Sequence, residues 1–228
     1  LDEVKARPTI DIDLLGEHIS NDRENLKGVF QKVCAIECED DGVTFDAASL
    51  ELEPIAVEKK YPGTCVKVVA HLDTIVQKVS VDIGFGDVVT PYPLSLDYPL
   101  LLPGVPAVEL YAYSLETFIA EKFHAMVDRD ESNSRMKDFF DVYQLFTNHE
   151  IDTELLAEAI VCTFKNRNTP YRENLSLFTD KFAADSTRNV LWKAFLKKIR
   201  WKEQIDFSVV MKCVKENLQE YWSRETLG

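Results

Sequence analysis

Arg7-Pro8-Thr9-Ile10-Asp11-Ile12-Asp13-Leu14 is the stretch on which the reading of this chain turns. Apolar and polar residues alternate from Pro8 to Leu15, the period of a β-strand, so Asp11 and Asp13 are expected on one face and Ile10, Ile12 and Leu14 on the other. Gly16 closes the run. Two carboxylates at i and i+2 of a strand project the same way. Their oxygens can converge on one small hard cation such as Mg2+, which takes carboxylates together with substrate phosphates. For an isolated Asp-x-Asp the competing reading is the solvated polar face of an edge strand, so the pair needs support from the rest of the chain.

A third acid supplies some of it. Asp82 sits in Val79-Ser80-Val81-Asp82-Ile83-Gly84-Phe85-Gly86-Asp87, a second predicted strand with apolar residues on both sides. An acid between Val81 and Ile83 needs a partner if it is buried, and a metal shared with Asp11 and Asp13 is one; an alternating strand that turns Asp82 to solvent is the other. Further along, Ala120-Glu121-Lys122 lies on a helical stripe with Phe118, Ile119 and Met126, which predicts a covered lysine stem and an ammonium reaching a cleft. In Asn133-Ser134-Arg135-Met136-Lys137-Asp138-Phe139-Phe140-Asp141 the acids Asp138 and Asp141 share a helix face. Asp138 is therefore placed to pair with Lys122 or Arg135. A phosphate-binding cluster and an interhelix salt-bridge network both satisfy that pattern.

Around these motifs the chain reads as α/β (α+β), with a mixed sheet followed by a helical lobe. A capped helix follows Ser20-Asn21-Asp22, and short strands are predicted over 43–45, 51–57, 65–72 and 75–85. The proline-rich stretch 88–107 reads as an extended connector, so the expected division is a core at 1–107 and a helical lobe at 108–228 sharing one cleft. A strand at 108–113 leads into predicted helices at 115–129, 135–147, 152–166, 185–200 and 206–223.

The bulk numbers exclude several classes. The 228 residues, 46% hydrophobic and 29% charged, suit a folded globular protein, and no apolar run is long enough for a membrane span. Cys34, Cys38, Cys65, Cys162 and Cys213 are odd in number and never in Cys-x-x-Cys spacing, which points to reduced thiols and a cytoplasmic location rather than a zinc site. A net charge of -13 argues against indiscriminate nucleic-acid binding. Residues 160 to 204 reverse it locally, with ten Lys/Arg against four Asp/Glu, or +6. Lys193, Lys197 and Arg200 fall at i, i+4 and i+7 there, either as candidate RNA contacts or as a solvated face. His124 reads as a helix-surface or interhelix hydrogen-bonding residue rather than a base.

Over roughly residues 7 to 145 the sequence resembles the AbiEii/AbiGii-type nucleotidyltransferase toxins, polymerase-beta-like nucleotidyltransferases. The resemblance rests on Arg7-x-Thr9-x-Asp11-x-Asp13-Leu14, the Asp82 strand followed by Pro91, Ala120-Glu121-Lys122, and Asn133-Ser134-Arg135-Met136-Lys137-Asp138-x-x-Asp141. It implies a polymerase-beta-like core in which Asp11, Asp13 and Asp82 hold Mg2+ (or Mn2+). Lys122, with Arg135 and Lys137, would meet the nucleotide phosphates, and Asp138 would be the later essential acid. It also implies transfer of a nucleotide from an NTP to an acceptor, in some members a tRNA 3' end, a cognate antitoxin, and a role in growth arrest or phage defence. A noncatalytic nucleotide- or partner-binding module of the same fold and a protein-modifying transferase are the alternatives. The family's Gly-Ser motif, which precedes the Asp-x-Asp strand, has no counterpart here, so the chain is expected to be a trimmed one.

Overall fold

The computed structural model describes residues 7–9, 11–38, 41–55, 63–98 and 107–227, with Asp11 described through its backbone only. Contacts divide the chain into a sheet unit, Pro8–Asp87, and a second unit made of Leu1–Arg7 and Val88–Gly228.

The sheet unit is built from β1 (Asp11–Leu15), α1 (Arg23–Cys34), β2 (Val43–Pro54), β3 (Gly63–Leu72) and β4 (Ile75–Gly84). Strand order is β1-β4-β3-β2, with β1 parallel to β4 and the other neighbours antiparallel. The period-two pattern sorts the faces. Leu50 and Leu52 of β2, Val66 and Val68 of β3, and Val81 and Ile83 of β4 are buried on one side, with Leu26 of α1 in the same cluster. Asp22 starts that helix, its side chain accepting from Asn25 N. The opposite side of the sheet carries the polar residues.

Where the sequence predicts separate strands at 43–45 and 51–57, the structure has one strand with a register shift between Asp46 and Glu51. Side-chain hydrogen bonds stitch the irregularity. Ala48 N donates to Asp46 Oδ1 at 2.9 Å, and Ser49 Oγ donates to the Asp46 carbonyl while accepting from Val69 N across the ladder at 2.8 Å. A bulge of this kind leaves no mark on hydrophobic periodicity beyond a break.

The second unit contains β5 (Leu94–Tyr98), β6 (Val108–Ala112) and α2 (Leu115–Arg129). It continues with α3 (Met136–Asn148), α4 (Thr153–Asn166), α5 (Asp180–Ala184), α6 (Ser186–Lys198), α7 (Phe207–Leu218) and α8 (Arg224–Leu227). Its core is aromatic: Phe123, Phe139, Phe140, Phe164, Trp192 and Phe207 are almost wholly buried. Ser114 caps α2 through Thr117 N, and both hydroxyls donate to the Thr90 carbonyl, which pins the helix start.

Three predictions in this region need correction. Leu94–Tyr98, read as part of an extended connector, is a strand paired antiparallel with β6. The prolines at 91 and 93 precede it and none interrupts it, so the ladder is free to form. Helix α6 ends at Lys198, with Ile199 as its cap and Arg200 at φ 55, so Arg200 does not continue the face of Lys193 and Lys197. Helix α7 ends at Leu218 rather than 223, where a 3-10 turn, Gln219–Tyr221, lets the Trp222 indole donate to the Arg172 carbonyl at 2.9 Å. The short helices α5 and α8 offer too few turns for periodicity to announce them.

Leu26 is the sole buried residue of α1. Leu26→Ala should therefore destabilise the sheet unit by about 2–5 kcal/mol. Hydrogen exchange should speed up in β2, β3 and β4 while α2 to α7 keep their protection; equal loss in both units would contradict the division.

Candidate active site

The parallel register sets Asp13 directly beside Asp82, and the antiparallel one continues the row to Cys65 and Glu53. The next row begins with the backbone of Asp11 opposite Ser80 and runs on to Lys67 and Glu51. The side chain of Asp11 lies outside the described residues. Val81 and Ile83 point into the apolar core, and Asp82 is half-buried on the other face, the side shared with Asp13. Asp82 therefore alternates away from the apolar core, onto the face it shares with Asp13.

The basic residues on this face are committed to β2. Lys67 bonds Glu53, which raises the Lys67 pKa, and Lys78 bonds Glu51 at 2.7 Å, which lowers that of Glu51. Cys65 is different in kind. Burial of the thiol and its hydrogen bond and charge interaction with Asp82 push its pKa up to about 11. It is therefore a protonated donor beside the carboxylate, not a thiolate.

The two carboxylates of Asp13 and Asp82 are a hard-oxygen donor set. Mg2+ is commonly held by one or two carboxylates with substrate phosphates filling the remaining positions, so the pair fits such an ion. Among the described residues no group of three or more His, Cys, Asp or Glu side chains is placed to hold a metal ion.

In the second unit a chain of ion pairs centres on Lys122. Its ammonium lies 3.1 Å from Asp138 Oδ1, 2.9 Å from Asp141 Oδ2 and 4.4 Å from the centre of the Phe118 ring. Asp141 is gripped at both oxygens by Arg7, at 2.7 and 2.9 Å, and Asp138 Oδ2 lies 2.8 Å from Arg135 Nε in a charge contact that is not aligned as a hydrogen bond. Asp138 is 2% exposed, Asp141 10% and Lys122 13%. Helix geometry explains the convergence: Asp138 and Asp141 are one turn apart on α3, and Lys122 reaches them from α2.

Lys122, Arg135 and Asp138 are thus brought together as the sequence allowed. Lys137 is exposed on α3, and Lys193 and Lys197 are exposed on α6. His124 is buried in an interhelix network: its Nε2 meets Thr169 Oγ1 at 2.7 Å, and Arg167 donates to its Nδ1 at 3.3 Å. Sequence reasoning gave Arg7 no role. Its partner is 134 residues away, and long-range pairing leaves no local signal.

Comparison with solved structures places the fold among nucleotidyltransferases. A Helicobacter pylori protein described as a candidate nucleotidyltransferase matches with a TM-score of 0.50 and 14% identity, over 96% of this chain and 83% of that one. Another H. pylori structure, that of the protein JHP933, gives 0.41 and 15% over 94% and 78%. The model of the AbiEii nucleotidyl transferase toxins of type IV toxin–antitoxin systems matches residues 3–212, and the chain belongs to that family. No protein with a curated description matches at a significant level. The chain is therefore a nucleotidyltransferase of a toxin family whose systems pair toxin with antitoxin. Among the described residues no helix is long and apolar enough to cross a membrane.

The Asp82–Cys65 contact can be read chemically. With a pKa of about 11, Cys65 has about one thousandth of its thiol ionised at pH 8. Alkylation by iodoacetamide at that pH, followed by peptide mass spectrometry, should modify exposed Cys38 at least about tenfold faster than Cys65. Asp82→Asn should speed Cys65, because the charge that disfavours thiolate is gone. A Cys65 rate equal to that of Cys38, or unmoved by Asp82→Asn, would contradict the contact.

Proposed function

We propose that the chain is a Mg2+-dependent enzyme (with Mn2+ as a substitute) that transfers a nucleotide from an NTP to an RNA acceptor, a tRNA 3' end. The observation that carries this reading is the register that puts Asp13 beside Asp82 on the polar face of the sheet. In it Asp11, Asp13 and Asp82 hold the metal, which when bound supplies positive charge to the phosphates at the reacting centre. Lys122 faces the phosphates, held in place by Asp138, and Arg135 and Lys137 are the outer contacts.

The basic residues support RNA as the acceptor. Exposed Lys193 and Lys197 on α6, with Arg200 just beyond it, lie in the +6 segment of an otherwise acidic chain. A local excess of cations in an otherwise acidic chain favours docking of a polyanion there over general adhesion. Transfer to tRNA would act in the cytoplasm and stop growth, the outcome a phage-defence system uses, and the antitoxin would answer it.

Each labelled NTP is incubated with total tRNA and the protein, and RNA and protein fractions are counted separately. The expected result is RNA labelling that needs a divalent metal and falls more than about a hundredfold in Asp13→Ala. Labelling that survives Asp13→Ala sinks the metal assignment, and label in the protein fraction alone replaces RNA by a protein hydroxyl as acceptor.

A further inference from the structure

In the second unit a cavity of about 250 Å3 opens between the loop that follows α4 and the turn that follows α7. Buried Leu175, Phe178 and Trp222 line it together with half-buried Tyr171. The Tyr171 and Trp222 rings lie 5.3 Å apart, inclined at 37°. Trp222 is fixed from behind by Phe164, at 5.8 Å, and by its indole hydrogen bond to the Arg172 carbonyl. The polar groups of the lining are of two kinds. Thr179 has its hydroxyl engaged, donating to the Ser176 carbonyl and accepting from Phe182 N at the start of α5. Glu173 and Gln219 are exposed, and among the described residues neither side chain has a hydrogen bond or an ion pair.

Rigid rings beside a free carboxylate and a free carboxamide suit a flat ring system with hydrogen-bonding edges: the rings take its face, the polar groups its edge. A phosphate is disfavoured inside, because Glu173 would repel it. A whole nucleoside triphosphate is disfavoured by size, since sites for drug-sized ligands run to roughly 300–1,000 Å3. The surroundings favour a polyanion nonetheless. Tyr171 to Thr179 lie in the +6 segment, and the Arg224 guanidinium stands 5.9 Å from the Tyr171 ring with no ion pair among the described residues. A carboxylate accepts from the exocyclic amine of adenine or cytosine, where uracil presents a carbonyl. We propose that this cavity receives one unpaired base of the acceptor RNA, seated against Tyr171 and Trp222 and read at its edge by Glu173 and Gln219, with adenine or cytosine preferred to uracil. The neighbouring phosphate falls to Arg224. This rests on the reading that the acceptor is RNA.

The test is fluorescence anisotropy of the full chain with labelled single-stranded RNA octamers of adenosine, of uridine and of abasic ribose phosphate. The unaltered chain should bind the adenosine octamer about tenfold more tightly than the abasic one and about fivefold more tightly than the uridine one. Tyr171→Ala should weaken the adenosine octamer about tenfold and leave the abasic one within about twofold, while Tyr171→Phe keeps both within about threefold. Equal binding of adenosine and abasic octamers, or binding indifferent to Tyr171→Ala, overturns the inference; so does equal weakening of both, the mark of a merely structural tyrosine. If Tyr171→Ala does not fold, Glu173→Gln decides: the preference for adenosine over uridine should fall below about twofold, and an unchanged preference overturns the edge contact and the proposal with it. Calorimetry with ATP separates the two sources of a base. Tyr171→Ala should bind ATP within about twofold of the unaltered chain, and a larger loss gives the cavity to the nucleotide substrate and overturns its assignment to RNA. RNA labelling combined with octamer binding indifferent to Tyr171 removes the cavity and keeps the RNA acceptor. Label in protein alone removes the RNA acceptor, and with it the role proposed for the cavity, whatever the octamers do.

Discussion

The sheet unit depends on one register, the parallel pairing of β1 with β4. These strands are distant in sequence, and the chain returns to make them neighbours only after α1 and the β2–β3 hairpin. The side-chain period on a strand is two, so a slip of one residue would set Asp13 against Val81 or Ile83 and exchange the faces. Burial aligns the other three strands, whereas Ile12 and Leu14 of β1 stay about half exposed and β1 is held at its end. Leu52, Val66 and Val81 line up across three strands, and Gly16 N closes the end of β1 on the Gly84 carbonyl at 2.8 Å. A side chain at Gly16 would also be blocked, since an added Cβ would stand 2.3 Å from the Phe85 ring. The apolar core aligns β2, β3 and β4, the close of β1 at Gly16 fixes it on β4, and that register chooses which acids meet.

The second unit solves the opposite problem, that of keeping charges inside helices. Leaving Asp138 nearly buried without a partner would cost several kcal/mol, and removing one member of such a pair typically costs about 3–5 kcal/mol. The frame around it is rigid. Ser114 and Thr117 fix the start of α2 on Thr90, and the aromatic cluster of Phe123, Phe139, Phe140 and Trp192 holds α2, α3 and α6 together. Well-packed apolar residues of similar volume would often stabilise such an interior as well or better. Stability therefore does not by itself account for five charges drawn together there.

What the sequence made legible follows from the range of each interaction. The alternation over Pro8 to Leu15 and the stripe of Phe118, Ile119, Lys122 and Met126 are local; the helix forms where its pattern puts it, and the strand covers Asp11–Leu15 of its run, with Ile10 outside the described residues. The pairing of Lys122 with Asp138 was open to reading because α2 and α3 are neighbouring helices with well-defined faces. The bulge in β2 was not, since Ser49 finds Val69 only once two strands are paired. Leu94–Tyr98 was hidden because its alternation is short and surrounded by prolines. Arg7 was hidden for a stronger reason: nothing near it in sequence marks an arginine whose carboxylate lies in α3, 134 residues on.

The two groups of acids also differ in how their charge is met. Asp138 and Asp141 are each shared between two cations. Asp13 and Asp82 stand side by side on adjacent strands, and among the described residues neither makes an ion pair, while Lys67 and Lys78 are engaged by Glu53 and Glu51. Like charges directly opposite in a sheet oppose folding by a few tenths to about 1 kcal/mol. A thiol held protonated at Cys65 relieves that only by one weak hydrogen bond. A cation between the two carboxylates would offset it more strongly.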